Sequence, residues 1–360
     1  MPHFIQSLEL NEQFFGEVLR PLLAHHFPNL TYSAARLGGG SDVLGYDDEM
    51  SSDHDWGIRQ QLFLREEDVG EMETAVFEML RHQLPYEYNG VSVHFGTADE
   101  EGTRLQEAIS EGPVAHRIEI TTIPRFTTEH LGFDATQPWD AITWLSVPQQ
   151  QLLGMVKGRV FADVSGELKR VRQTLDYFPD DVWLYLLACQ WNRIGQEDHF
   201  MGRTGYRGDE IGSRLLASRL VHDVMMLGFL YEKQYAPYPK WFGTAFKSLA
   251  CAEKLEPILL AVVTAVSWQE REQYLCQAFT ILGELHNNLG LTTPLPTGCE
   301  QFHDRPFQVH CGGYAGALWR LISDEAMQQF PPIGSIDQFS DNTDLRSYPK
   351  RFMKIRPLYE

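Results

Sequence analysis

Apolar positions in the first third of the chain recur with two different periods. Over residues 14–27, Phe14, Phe15, Val18, Leu19 and Leu22 keep the three-to-four-residue spacing of a helix, with Pro21 bending it. Residues 58–64 are apolar except for Arg59, Gln60 and Gln61, and they predict a strand. Residues 66–84 return to helical spacing through Val69, Met72, Val76, Phe77 and Leu80. Asn89-Gly90 is turn chemistry, and Val91 to Phe95 alternates as a strand does. A further strand spans Arg117 to Ile123 and stops at Pro124. Residues 1–130 therefore predict strands and helices mixed around one site.

The character changes beyond that point. Residues 131–148 hold two prolines and several turn formers and read as a connection. From 149 to 330 helical patterns dominate. Pro179-Asp180-Asp181 starts a helix over 182–194, and 211–235 predicts a long one. Residues 246–266 predict two helices broken near Pro257; 271–289 predicts a helix ended by Gly290, and 312–322 a shorter one. The tail, 331–360, is turn-rich but carries Ile336 and Phe339, so it is expected to pack on the surface. The predicted class is α+β: a mixed sheet with flanking helices, followed by a mostly α-helical C-terminal domain.

Composition narrows the function classes. A length of 360 residues suits two domains, and 43% hydrophobic with 22% charged residues is the balance of a globular chain. The formal net charge of −19 argues against broad nucleic-acid binding, which needs clustered Lys and Arg. Five cysteines, Cys189, Cys251, Cys276, Cys299 and Cys311, form no Cys-x-x-Cys pair and suggest neither a disulfide framework nor a zinc ribbon. Three of them lie in apolar helical stretches and read as small core residues. No secretory signal is visible at Met1-Pro2-His3-Phe4, and the longest apolar run, Ile258 to Val266, is far short of a membrane span. The expected location is the cytoplasm.

Candidate chemistry concentrates in Gly38-Gly39-Gly40-Ser41-Asp42 and, a short turn later, Asp53-His54-Asp55-Trp56-Gly57. Three glycines let the backbone turn sharply and admit a ligand close to the N–H groups, which in such a turn form an anion-binding nest. Asp53 and Asp55 stand at i and i+2, so on an extended strand both carboxylates would face one point. Convergent carboxylates beside a phosphate cradle suit Mg²⁺ held between protein and substrate oxygens. Asp42, Asp47 and Asp48 read as turn residues, and His54, facing the other side, as structural.

A glycine-serine turn followed by Asp-x-Asp resembles the signature of the polymerase-beta-like nucleotidyltransferase superfamily, which includes aminoglycoside and lincosamide nucleotidyltransferases. The wording Gly-Gly-Gly-Ser-Asp-Val-Leu-Gly and Ser-Ser-Asp-His-Asp-Trp-Gly, with Lys240-Trp241-Phe242-Gly243-Thr244-Ala245-Phe246, is similar to a bacterial family known as domain of unknown function 4037, over nearly the whole chain. The resemblance implies transfer of a nucleoside monophosphate from an NTP to an acceptor hydroxyl, with release of pyrophosphate. It implies that Asp53 and Asp55 hold Mg²⁺, or Mn²⁺ in its place, with a third carboxylate from a neighbouring strand. Glu119, central in its strand, fits that role by position. Gly39, Gly40 and Ser41 would cradle the phosphates, and Arg203, in a loop-like stretch, or Lys240, among aromatics, would supply a cation from the helical domain. The acidic balance favours a small-molecule or protein acceptor over RNA.

Two other classes compete. A nucleotide-binding module of the same fold without turnover needs only the turn and the aspartates. A His-Asp metal phosphohydrolase would use His54-Asp55, His222-Asp223 and His303-Asp304, but it requires an all-α fold. Arg305 and His310 have the spacing of a ribonuclease motif found in helical partners of nucleotidyltransferases; Pro306 and the 294–296 region oppose the helix it needs.

Overall fold

The structure, a computed structural model, describes residues 4–53, 56–100 and 102–360, with Ser52 and Asp53 described in their backbone alone. The chain divides into two compact units, residues 1–139 with 150–176, and residues 140–149 with 177–360. The class is α+β.

The first unit opens with one continuous helical stretch: α1 (Ser7–Phe14), a π turn over Phe15–Leu19, and α2 (Arg20–His26). It begins seven residues before the predicted start because Ser7 and Asn11 share the buried stripe with Leu10 and Phe14, which hides the apolar period. Pro21, in the first turn of α2, has no N–H to give to the preceding turn, and the π turn ahead of it absorbs that break. Then follow β1 (Tyr32–Arg36), α3 (Ser41–Leu44), β2 (Arg59–Leu64) and α4 (Glu71–Gln83). A small hairpin, β3 (Glu87–Tyr88) and β4 (Val91–Ser92), closes on Asn89 and Gly90, both at positive φ. Next are β5 (Arg117–Thr121) and α5 (Ile123–Leu131), whose N-cap Thr122 and Pro124 start the helix where the strand was expected to continue. After α6 (Ala141–Ser146), which belongs to the second unit, α7 (Gln149–Val156), β6 (Arg159–Asp163) and α8 (Glu167–Thr174) complete the first. The expected boundary at 131–148 thus leaves β6 and α8 on its far side.

The sheet has the order β5-β2-β1-β6, with β2 parallel to β5 and β1 antiparallel to both β2 and β6. Alternation sorts its two faces. Ala34, Leu62, Ile118 and Ile120 point into a core with Leu10, Phe14, Leu19, Val76 and Leu80. The register pairs Arg59 with Arg117, Gln61 with Glu119 and Phe63 with Thr121 on the opposite face. That face is partly roofed by α5, where Phe126 meets Phe63 edge-on at 5.3 Å.

The second unit is built on α9 (Asp180–Tyr206), α10 (Glu210–Tyr231), α11 (Pro239–Phe246), α12 (Ala252–Thr264) and α13 (Trp268–Asn288). Residues Val182 to Trp191 are buried all round α9, the mark of a helix inside a bundle. Trp191 donates through Nε1 to the Tyr231 hydroxyl at 2.7 Å. Pro257 lies inside α12; the break falls at 247–251 instead. The hairpin β7 (Cys299–Gln301) and β8 (Gln308–His310) precedes α14 (Tyr314–Trp319). Ile336 and Phe352 of the tail are fully buried. Contrary to the sequence expectation, Cys276 on α13 is joined to Cys299 on β7 by a disulfide; pairing across 23 residues depends on how the hairpin lies on the helix, which spacing does not encode. Cys189 and Cys251 are buried thiols as expected. Among the described residues no helix is long and apolar enough to cross a membrane.

Candidate functional site

The glycine turn leaves the end of β1 and is held from behind by α7. Gly38, at φ +93°, donates its N–H to the carbonyl oxygen of Gly154 at 2.9 Å. A β-carbon on Gly154 would overlap the Gly38 carbonyl, and one on Gly158 would overlap that of Arg36, so both backing positions need glycine. Gly39 is exposed with open space around it, Gly40 has φ +131°, and Ser41 begins α3.

A buried ion cluster underlies the turn. Arg36 binds Asp42 through two of its three nitrogens, Nε to Oδ2 at 2.8 Å and Nη2 to Oδ1 at 3.1 Å. The same guanidinium donates to the carbonyls of Leu37 (2.7 Å) and Gly39 (3.2 Å). Arg59 stands 3.6 Å from Asp42. Burial alone would raise the Asp42 carboxyl, but the two guanidiniums outweigh it and hold it below the usual carboxylate range. Asp42 is thus a clasp for the turn, and its side chain lies where a β-carbon on Gly40 would go. Asp47 likewise ties loop to helix, accepting from the Ser7 N–H (2.7 Å) and the Trp56 indole (3.2 Å).

The expected metal ligands lie on the next segment. Asp55 and His54 fall outside the described residues, as does the Asp53 side chain. The Asp53 backbone closes a 3₁₀ turn over Glu49–Asp53 rather than an extended strand, and β2 begins at Arg59. Asp48 causes the turn, its Oδ1 accepting from the N–H groups of Met50 (3.0 Å) and Ser51 (3.2 Å).

Glu119 sits half-buried on the polar sheet face and is linked to the turn through one residue. Gln61 accepts the Leu37 N–H on Oε1 at 3.0 Å and donates from Nε2 to Glu119 Oε2 at 3.3 Å. Burial pushes the Glu119 carboxyl above its ordinary range, against the opposing pull of His130 and the Gln61 amide. His130, two turns into α5, lies with Nε2 3.4 Å from where a Gly38 β-carbon would stand, and its Nδ1 is 2.9 Å from the Phe126 carbonyl. Because a carbonyl only accepts, Nδ1 carries hydrogen. Gln61, His130 and Arg36 escape sequence reasoning. The visible signal was Gln60-Gln61 interrupting an apolar strand.

The remaining candidates belong to the second unit. Arg203 is exposed on α9, which runs on to Tyr206, into the stretch expected to be a loop. Within that helix positions 202 and 205 need glycine, because a β-carbon would overlap Phe307 or Trp268 respectively. Lys240 is exposed near the start of α11, its ammonium 5.0 Å over the Trp241 ring. Of the His-Asp pairs, Asp223 is taken by Arg193 (2.8 Å) and Gln190 (3.0 Å), while His222 stacks on Phe242. His310 lies on β8, not on a helix, with Nδ1 2.8 Å from Asp198. Among the described residues, no group of three or more His, Cys, Asp or Glu is placed to hold a metal ion.

Fold and site define an α+β protein whose mixed sheet presents a carboxylate beside a clasped glycine turn. Residues 144–242 match the model of a family described as "Domain of unknown function (DUF4037)". The match covers 144–242 rather than nearly the whole chain; it contains Gly154, Gly158, Arg203 and Lys240 but not the glycine turn, Asp53, Asp55 or Glu119. No curated protein matches the chain.

Proposed function

We propose that this protein is a Mg²⁺-dependent nucleotidyltransferase of the polymerase-beta-like type, moving a nucleoside monophosphate from an NTP to an acceptor hydroxyl and releasing pyrophosphate. The observation that carries the reading is the Gln61 bridge, which ties a half-buried carboxylate, Glu119, to the glycine turn on one sheet face. Gly39, Gly40 and Ser41 are the phosphate contacts, and Arg203 or Lys240 the candidate cations. Asp53, Asp55 and Glu119 would hold Mg²⁺; an all-carboxylate donor set suits it, or Mn²⁺, better than a softer metal. Bound there, the ion would neutralise phosphate charge. Asp42 does not join the set, since its oxygens are engaged by arginines. A carboxylate raised by burial is suited to take the proton of the acceptor hydroxyl, and this is the role assigned to Glu119. The favoured acceptor is a small molecule or protein.

The test is incubation of the protein with each α-labelled NTP and a cell extract, followed by location of the label. Glu119→Gln should keep most NTP affinity and lose transfer by about a hundredfold or more. Absence of transfer by wild-type protein in every extract would leave a nucleotide-binding module without turnover.

A further inference from the structure

We propose that Gln61 is a positioning residue that couples the glycine turn to the carboxylate of Glu119. Its bonding leaves it one orientation. The Leu37 N–H only donates, so the Gln61 amide oxygen must face it, and the amide nitrogen is thereby aimed at Glu119. The side chain is buried at the centre of β2, between Ala35 on one neighbouring strand and Glu119 on the other. The small Ala35 leaves the bridge its room. Gln61 thus touches the end of β1, where the turn begins, and fixes Oε2 of Glu119 while leaving Oε1 to meet a ligand. A glutamate in a half-buried site has several rotamers, and a shift of about 1 Å in a reacting group lowers rates by roughly a hundredfold. The catalytic half of this inference rests on the transfer reading; the coupling itself does not.

The experiment uses the full chain and three variants, with two readouts: melting temperature without ligand, and transfer of label from α-labelled NTP to the extract. Gln61→Glu keeps an acceptor for the Leu37 N–H but sets a second carboxylate against Glu119. It should melt about 3 °C or more below wild type, and lower kcat at least about tenfold with KM for NTP within about threefold. Gln61→Glu with Glu119→Gln restores a donor–acceptor pair with the charge moved to β2. It should regain the wild-type melting temperature to within about 1 °C yet not regain transfer. Gln61→Met, which has no charge conflict, carries the kcat and KM comparison should Gln61→Glu fail to fold. Wild-type melting and transfer in Gln61→Glu would overturn the coupling, and recovery of transfer in the exchanged pair would overturn the positioning role. If wild-type protein transfers no label, the transfer reading falls, while the melting temperatures still decide whether the two side chains are coupled.

Discussion

Replacing Asp42 by Asn probes the clasp under the glycine turn. Asp42 and Arg36 are 5% and 4% exposed in their side chains, so neither charge is relieved by water. Breaking a buried pair by removing one partner costs about 3–5 kcal/mol. Asn retains one acceptor oxygen, and Arg36 keeps the carbonyls of Leu37 and Gly39, so the lower end applies, about 3 kcal/mol. For a folding unit of this size each kcal/mol moves the midpoint by about 2–4 °C, which gives a fall of about 6–12 °C in the first unit's transition. The pH dependence has a definite sign. The folded Asp42 carboxyl is depressed, so its contribution is present above the ordinary carboxylate range and lost as pH falls through the folded value. The gap between wild type and variant should therefore be full at pH 7 and close toward acid. Scanning calorimetry at several pH values measures both quantities. A fall under about 2 °C at neutral pH, or a gap that widens on acidification, would refute the account.

Three further outcomes are expected. Asp53→Asn and Asp55→Asn should abolish Mg²⁺-dependent NTP binding, measured by titration calorimetry, while the fold survives. Glu119→Gln should be at least as stable as wild type at neutral pH: the folded carboxyl is raised, so its stabilising contribution is present at low pH and lost as pH rises through the folded value. Cys276→Ser opens a loop of 23 residues and should cost about 3 kcal/mol, with a reductant reproducing the loss in wild type and having no effect on the variant.

The parts of this architecture that sequence exposes are those governed by local rules. Asn89-Gly90 makes a turn because both residues tolerate positive φ, and Glu119 falls mid-strand because alternation around it is regular. The 3₁₀ turn ending at Asp53 was missed because the Asp48 side chain competes with extended backbone, a contest that spacing alone does not decide. The helix through Gly202 and Gly205 was missed for another reason. Glycine reads as a loop former, yet here it admits Phe307 and Trp268, residues far along the chain. Gln61, His130 and Gly154 act through partners 24 to 116 residues away, so their roles exist only in the folded unit.

The chain leaves the sheet-bearing unit after residue 139 and re-enters it at 150 to lay β6 along β1. A fragment ending near the first crossing would therefore leave one edge of β1 without its neighbour, its N–H and C=O groups open to pairing with another molecule. It would also lack Gly154, against which the turn is braced. Such a fragment should aggregate rather than bind nucleotide. Nor is the family-matched stretch a separable module, since its residues 150–176 complete one unit and the remainder belongs to the other. A single proteolytic cut near 139 or 149 releases neither unit whole, whereas one after 176 leaves the first unit complete with residues 140–149 attached, so truncation of this protein belongs there.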